Sequence, residues 1–186
     1  MKPSKKQEII DVAIKLVEHK GFNSFSFRDL AEVVNIKTSS IHYYFPTKEN
    51  LGCAIILHYT NEIIAYFNSL GEISDDDKLN AFMGYFEKKS TSDEQSCLIG
   101  QLLSEFNTFG EEMKQGIKDF FSCLEEFIAG LILSINRCAS KKVAYEIAAL
   151  IMSSYEGALL TTRVFNEPKR VKNVELIVKS LIYVKE

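Results

Sequence analysis

Along almost the whole chain apolar residues return every three to four positions, and no segment alternates apolar and polar residues convincingly as a strand would. That periodicity restricts the 186 residues to helix packed on helix. Ile9, Ala13, Leu16 and Val17 define a first helix over 4–20, stopped by Gly21. Ser26 precedes FRDLAEVV with Asp29 three residues on, close to a capping box, and predicts a short helix over 27–34. Asn35 tolerates the left-handed backbone that a turn needs, and Ile36 pins that turn to the core. A third short helix, 38–44, buries Ile41 and Phe45 and ends at Pro46. Thr47 caps a long helix over 48–70, and further helices are expected over 75–90, 95–107, 111–137, 141–165 and 170–184.

A content of 46% apolar and 25% charged residues is that of an ordinary folded chain, with no stretch that must be disordered. The net charge of −3 argues against a surface that is basic throughout, but the charge is unevenly shared. Residues 1–52 hold eight Lys/Arg against six Asp/Glu, and the remainder is left with 14 against 19. Cys53, Cys97, Cys123 and Cys138 are scattered, without CxxC or a zinc-ligand partner, which suggests a reducing compartment and no metal or other cofactor. The charged start MKPSKKQEII is unlike a signal peptide, and the longest apolar runs, such as FIAGLILSI, fall short of a membrane span. The expected location is the cytoplasm. No Walker loop, GxSxG or HExxH occurs, and His19, His42 and His58 lack ligand spacing, so an enzyme is not expected.

The stretch NIKTSSIHYYFPTKENL, residues 35–51, places polar and aromatic groups on one short helix behind a tight turn and a supporting helix. That is the layout of a helix-turn-helix, whose second helix enters the major groove of DNA. Groove-facing positions call for small or polar side chains, which Thr38, Ser39, Ser40, His42 and Tyr43 supply. Phosphates call for donors at the edges, which Ser26, Arg28, Lys37, Tyr44 and Lys48 supply. Phe22, Phe25, Phe27, Ile36, Ile41 and Phe45 are read as core.

The run GFNSFSFRDLAEVVNIKTSSIHYYFPTKENL, and within it aromatic-aromatic-Phe-Pro-x-Lys-x-x-Leu at 43–51, resembles the N-terminal signature of the TetR (tetracycline-repressor-like) family of bacterial transcriptional regulators. The match spans about residues 7–57; the rest resembles the family in length and helical pattern alone. The sequence departs from the common pattern at Asn35, where Gly is usual, at Lys37, where a Ser often caps the recognition helix, and at His42, where Tyr is frequent. Thr38 is expected to take over the cap, and the operator sequence does not carry over from relatives. The resemblance implies an all-α fold: a three-helix DNA-binding domain, residues 1–47, joined by a long helix to a ligand-binding and dimerisation domain, residues 48–186. It also implies double-stranded operator DNA, a small-molecule inducer and a second copy of the chain as partners.

For the inducer, the apolar and polar side chains Phe82, Phe86, Cys97, Gln101, Phe106, Phe120 and Tyr155 are the candidate lining. The last two helices carry Ala144, Ile147, Ala148, Ile151, Ala158 and Leu159, then Val174, Ile177, Val178 and Leu181, and the resemblance implies that this pair forms the dimer interface. Cys97 falls in the first turn of an expected helix, which favours a thiolate, whereas Asp93 and Glu94 oppose one. Its segment SCLIGQL resembles a GCL stretch in a branch of the family with members that respond to electrophiles or oxidants. A ligand-responsive repressor is therefore the leading function. A thiol sensor acting through Cys97, or a helical interaction module without DNA binding, stands beside it.

Overall fold

The computed structural model describes residues 4–91, 97–136 and 140–183. Among them the chain is all-α. Its helices are α1 (Lys5–Lys20), α2 (Phe27–Val34), α3 (Thr38–Tyr44), α4 (Lys48–Ser69), α5 (Asp75–Thr91), α6 (Leu98–Ser104), α7 (Glu111–Ile135), α8 (Lys141–Phe165) and α9 (Lys169–Ile182), with a 3₁₀ turn at Phe106–Thr108. The expected helix ends at 95, 137 and 184 fall outside the described residues, as do Asp93, Glu94 and Cys138. The helix expected over 95–107 is shorter than its apolar pattern. Glu105 leaves it at φ −109°, and its carboxylate accepts a 3.0 Å hydrogen bond from the backbone N–H of Asn23, a contact that local periodicity does not encode.

The chain divides into two compact units. The first holds the residues up to Glu62 with Leu98–Phe120, and the second Ile63–Cys97 with Phe121–Glu186. In the first, α1 contributes Ile9, Ala13 and Val17, α2 contributes Leu30 and Val34, and α3 contributes Ile41 to a core completed by Phe45, Leu51, Ile55, Leu98 and Ile99. Phe22, Phe25 and Phe27 join it, while Ile36 is only half-buried. Gly52 lets α4 approach α7 closely, since a Cβ there would lie 2.4 Å from the Met113 sulfur and 3.0 Å from the Phe22 ring. A polar seam joins α1 to α4, with Gln7 Nε2 at 3.0 Å and Asp11 Oδ1 at 3.7 Å from His58 Nε2.

In the second unit α8 packs along α9, and α5 packs on both. One α8 face, Ala144, Ala148, Ile151, Met152, Tyr155 and Leu159, is buried, and α9 buries Val171, Val174, Val178 and Ile182. By length and composition α8 could cross a membrane, contrary to the sequence expectation, although 44% of its most apolar stretch is buried within the protein.

Candidate functional site

Ile41 is the buried residue of α3, so the helix turns its remaining side chains outward. Ser39, His42 and Tyr43 are exposed, Thr38 and Ser40 half-exposed, and Tyr43 reaches 82% exposure. The Tyr43 ring meets Tyr44 edge-on at 5.1 Å. His42 sits edge-on to Phe27 at 4.9 Å with Nδ1 3.4 Å from the Pro46 carbonyl, so its ring is held in place yet remains exposed. The turn before α3 follows the sequence closely: Asn35 adopts φ 55°, ψ 51°, and its N–H closes onto α2. Ser26 and Asp29 form the capping box, Ser26 N donating to the Asp29 carboxylate at 2.7 Å. The Ser26 hydroxyl and N–H hold the Asp29 carboxyl below its ordinary range. Arg28 and Lys37 are exposed, and Lys37, at the N-cap of α3, makes no side-chain cap. No side-chain cap replaces it; the Ser40 N–H instead donates to the Lys37 carbonyl at 2.9 Å.

Lys48 makes structural contacts that the sequence does not announce. Its ammonium donates to the Phe25 carbonyl and lies 4.9 Å and 4.5 Å from the centroids of Phe22 and Phe25. Burial pushes its pKa down, and Glu105 and Asp29 act in the opposite sense. These contacts hold the half-buried Lys48 ammonium on the α1–α2 turn. The other side of that turn is held by Glu105, and by Thr108, whose hydroxyl lies 2.8 Å from Asn23 Nδ2. Lys48→Ala should therefore cost about 1–2 kcal/mol of stability, the size of one cation–π contact with its hydrogen bond. It should leave the salt dependence of DNA binding unchanged; a salt slope lowered by about one would assign Lys48 a phosphate contact instead.

In the second unit Phe82, Phe86 and Tyr155 form one cluster: Phe86 stacks on Tyr155 at 4.5 Å, and Phe82 lies 5.8 Å from Tyr155 and 5.1 Å from Phe86. The next residue along α8, Glu156, is 6% exposed and has a carboxyl pKa pushed up to about 7 by burial, opposed by a hydrogen bond from the Cys97 thiol and by the charge of Lys89. Apart from that thiol, neither carboxylate oxygen has a hydrogen-bond partner, and the buried Tyr155 hydroxyl has none. Burial also raises the Tyr155 pKa, with Glu175 and Glu87 adding to it. A cavity of about 420 Å³ opens beside Phe67, Asn68, Asp75, Lys78, Glu126 and Phe127.

The sequence profile of the bacterial regulatory proteins of the tetR family matches residues 9–54, which contain α2, α3 and the turn between them. Over its whole length the chain is similar to a TetR transcriptional regulator from Legionella pneumophila, with 30% identity, a TM-score of 0.90, and coverage of 98% of this chain and 100% of that one. The chain belongs to the TetR family. It is a transcriptional regulator and not an enzyme. A TetR-family regulator from Agrobacterium tumefaciens is similar at 25% identity and TM-score 0.85, covering 95% of this chain and 96% of that one. The biofilm operon icaADBC HTH-type negative transcriptional regulator IcaR of Staphylococcus aureus (strain Newman) is 37% identical over 62 residues, 32% of this chain. The match spans only 33% of the length of IcaR.

Of the regulator's expected lining residues, the second unit brings together Phe82, Phe86 and Tyr155, and it sets Cys97 against Glu156. Gln101, Phe106 and Phe120 belong to the first unit, where Phe120 stacks on Tyr59 at 6.0 Å and Phe106 lies under Lys114 at 5.9 Å. Cys97 immediately precedes α6 instead of lying in its first turn, and it is buried. Sequence reasoning missed Glu156. The available signal was a lone carboxylate four residues after Met152 and three before Leu159, on a helix face otherwise apolar.

Proposed function

We propose that the regulator represses transcription in the cytoplasm by holding a roughly palindromic operator as a homodimer, α3 of each copy lying in the major groove. A small molecule entering the second unit lowers that affinity. The observation that carries the DNA reading is α3 itself: a helix whose exposed side chains are Ser, His and Tyr, with Tyr43 standing clear of the surface behind the left-handed turn at Asn35. Such a surface meets base edges well and offers little to an apolar partner. Replacing Ser39, Ser40 and His42 together by Ala tests it. The variant should stay folded and lose at least tenfold of its operator preference over random DNA, since each mismatched contact costs about 1–3 kcal/mol. Unchanged affinity and selectivity would remove α3 from the groove.

Dimerisation is supported by a stripe that differs in part from the expected one, with Ile177 common to both. Ala144, Ala148, Ala158, Val174 and Val178 are buried in the chain's own core. Outside it, Val143, Leu150, Gly157 and Val164 recur seven apart along α8, and Leu176 and Ile177 are exposed on α9. Leu150 is 50% exposed, Leu176 67% and Val164 76%. A Cβ at Gly157 would meet nothing within 4 Å, which leaves room for a close helix from a second copy. An exposed apolar stripe of this length on two adjacent helices fits an obligate symmetric interface.

The effector reading rests on the aromatic cluster of Phe82, Phe86 and Tyr155 and on the cavity of about 420 Å³, a volume within the range of small-molecule sites. By linkage, a ligand that prefers the DNA-free conformation lowers operator affinity by as much as it discriminates between the two.

A further inference from the structure

Glu156 is a buried carboxyl without an ion-pair partner among the described residues. The Cys97 thiol donates to it and the charge of Lys89 acts on it, which leaves its two oxygens short of the donors that a buried carboxylate needs. The preceding residue places a large ring, Tyr155, in a cluster with Phe82 and Phe86, and the Tyr155 hydroxyl is likewise buried without a partner. Two consecutive α8 residues thus bring polar atoms into the core with at most a thiol to satisfy them, where such groups are ordinarily fully paired. A molecule that satisfied Glu156 would have to carry N–H donors and positive charge. A neutral alcohol provides one donor and no charge; an ammonium group provides three donors and balances the carboxylate.

Building on the effector reading above, we propose that Glu156 is the polar anchor of the effector site and that the effector is an aromatic organic amine, its ammonium group donating to Glu156 while its ring lies against the Phe82–Phe86 cluster. The consequence is proton-linked recognition. A cation binds the ionised carboxylate, so affinity rises with pH as Glu156 loses its proton around pH 7 and levels off above it. The charged and titratable groups that act on Tyr155 and Glu156 are Lys89, Glu87, Glu175 and the Cys97 thiol. A Glu156 that merely filled the core would give no such dependence.

Calorimetry with 2-phenylethylamine and its neutral counterpart 2-phenylethanol tests this directly, on the full-length wild type and on Glu156→Gln, from pH 6 to pH 8. The amine should bind the wild type with affinity rising about tenfold across that interval. Glu156→Gln should bind it at least tenfold more weakly and without pH dependence, and the alcohol should be weak and insensitive to pH in both proteins. Absence of amine binding, equal binding of amine and alcohol, or amine binding unchanged in Glu156→Gln would each overturn the proposal. The effector reading is judged separately, by operator release. An uncharged molecule that releases DNA equally from wild type and Glu156→Gln sinks the amine anchor and leaves that reading standing, whereas operator affinity that no small molecule alters removes the reading itself.

Discussion

Arginine at Leu150 together with arginine at Leu176 should leave the regulator monomeric and weaken its operator binding by about 10²–10⁴-fold. Both side chains are at least half exposed in the single chain, so the substitutions bury no charge within a protomer and the monomer should stay folded. A charge opposed to its own two-fold copy leaves unpaired cations in what would be an apolar contact. The size of the loss follows from avidity: a dimer engages two half-sites at once, and a monomer forgoes the effective concentration that links them. Sedimentation and operator titration of the same samples check both halves. The contrast with Ala158→Arg and Val178→Arg is informative. These positions are 8% and 1% exposed, so arginine there should unfold the second unit instead of dissociating a folded dimer.

The other large effect belongs to Glu156. Its carboxyl titrates near 7 in the folded protein and near the ordinary 4.5 in the unfolded chain, so between those values the folded state holds the extra proton. Stability from this group is therefore fully present below pH 4.5 and is lost as pH rises through 7, reaching a deficit of about 3 kcal/mol at pH 8. Glu156→Gln keeps the shape and cannot ionise. It should be more stable than the wild type by about 3 kcal/mol at pH 8, roughly 10 °C in Tm for a chain of this size. The two proteins should converge toward pH 4.5. Melting curves recorded at one fixed protein concentration are needed, since dimerisation itself shifts the transition. A difference between the two that did not change with pH would show that Glu156 is not buried as an ionisable group.

The regions most legible in the sequence are those whose structure is set within a few residues. Ser26 and Asp29 announce their capping box, Asn35 its left-handed turn and Pro46 the end of α3, because each acts on backbone within one turn of chain. Positions decided by distant contacts were not legible. Glu105 breaks a helix that its neighbours favour because Asn23, on the α1–α2 turn, donates to its carboxylate. Lys48 is held on the α1–α2 turn by the Phe25 carbonyl and two rings. On α8 both faces are apolar, and periodicity cannot tell the face that meets α9 and α5 from the one left outside. Ala158 and Leu150 thus look alike in sequence and differ completely in exposure. The lining residues divide for the same reason: Phe82 and Phe120 have equal hydrophobic weight, yet the fold assigns them to different units.

The central claim, a dimer reading operator DNA through paired α3 helices, is tested most directly by selecting genomic fragments with the purified protein and footprinting the one bound most tightly. The expected footprint is two-fold symmetric, with half-sites about one helical turn or a small multiple apart. The Ser39, Ser40, His42 triple variant should lose that footprint while keeping the wild-type sedimentation. Selection of no fragment over random DNA, or a single asymmetric half-site occupied by one chain, would contradict it.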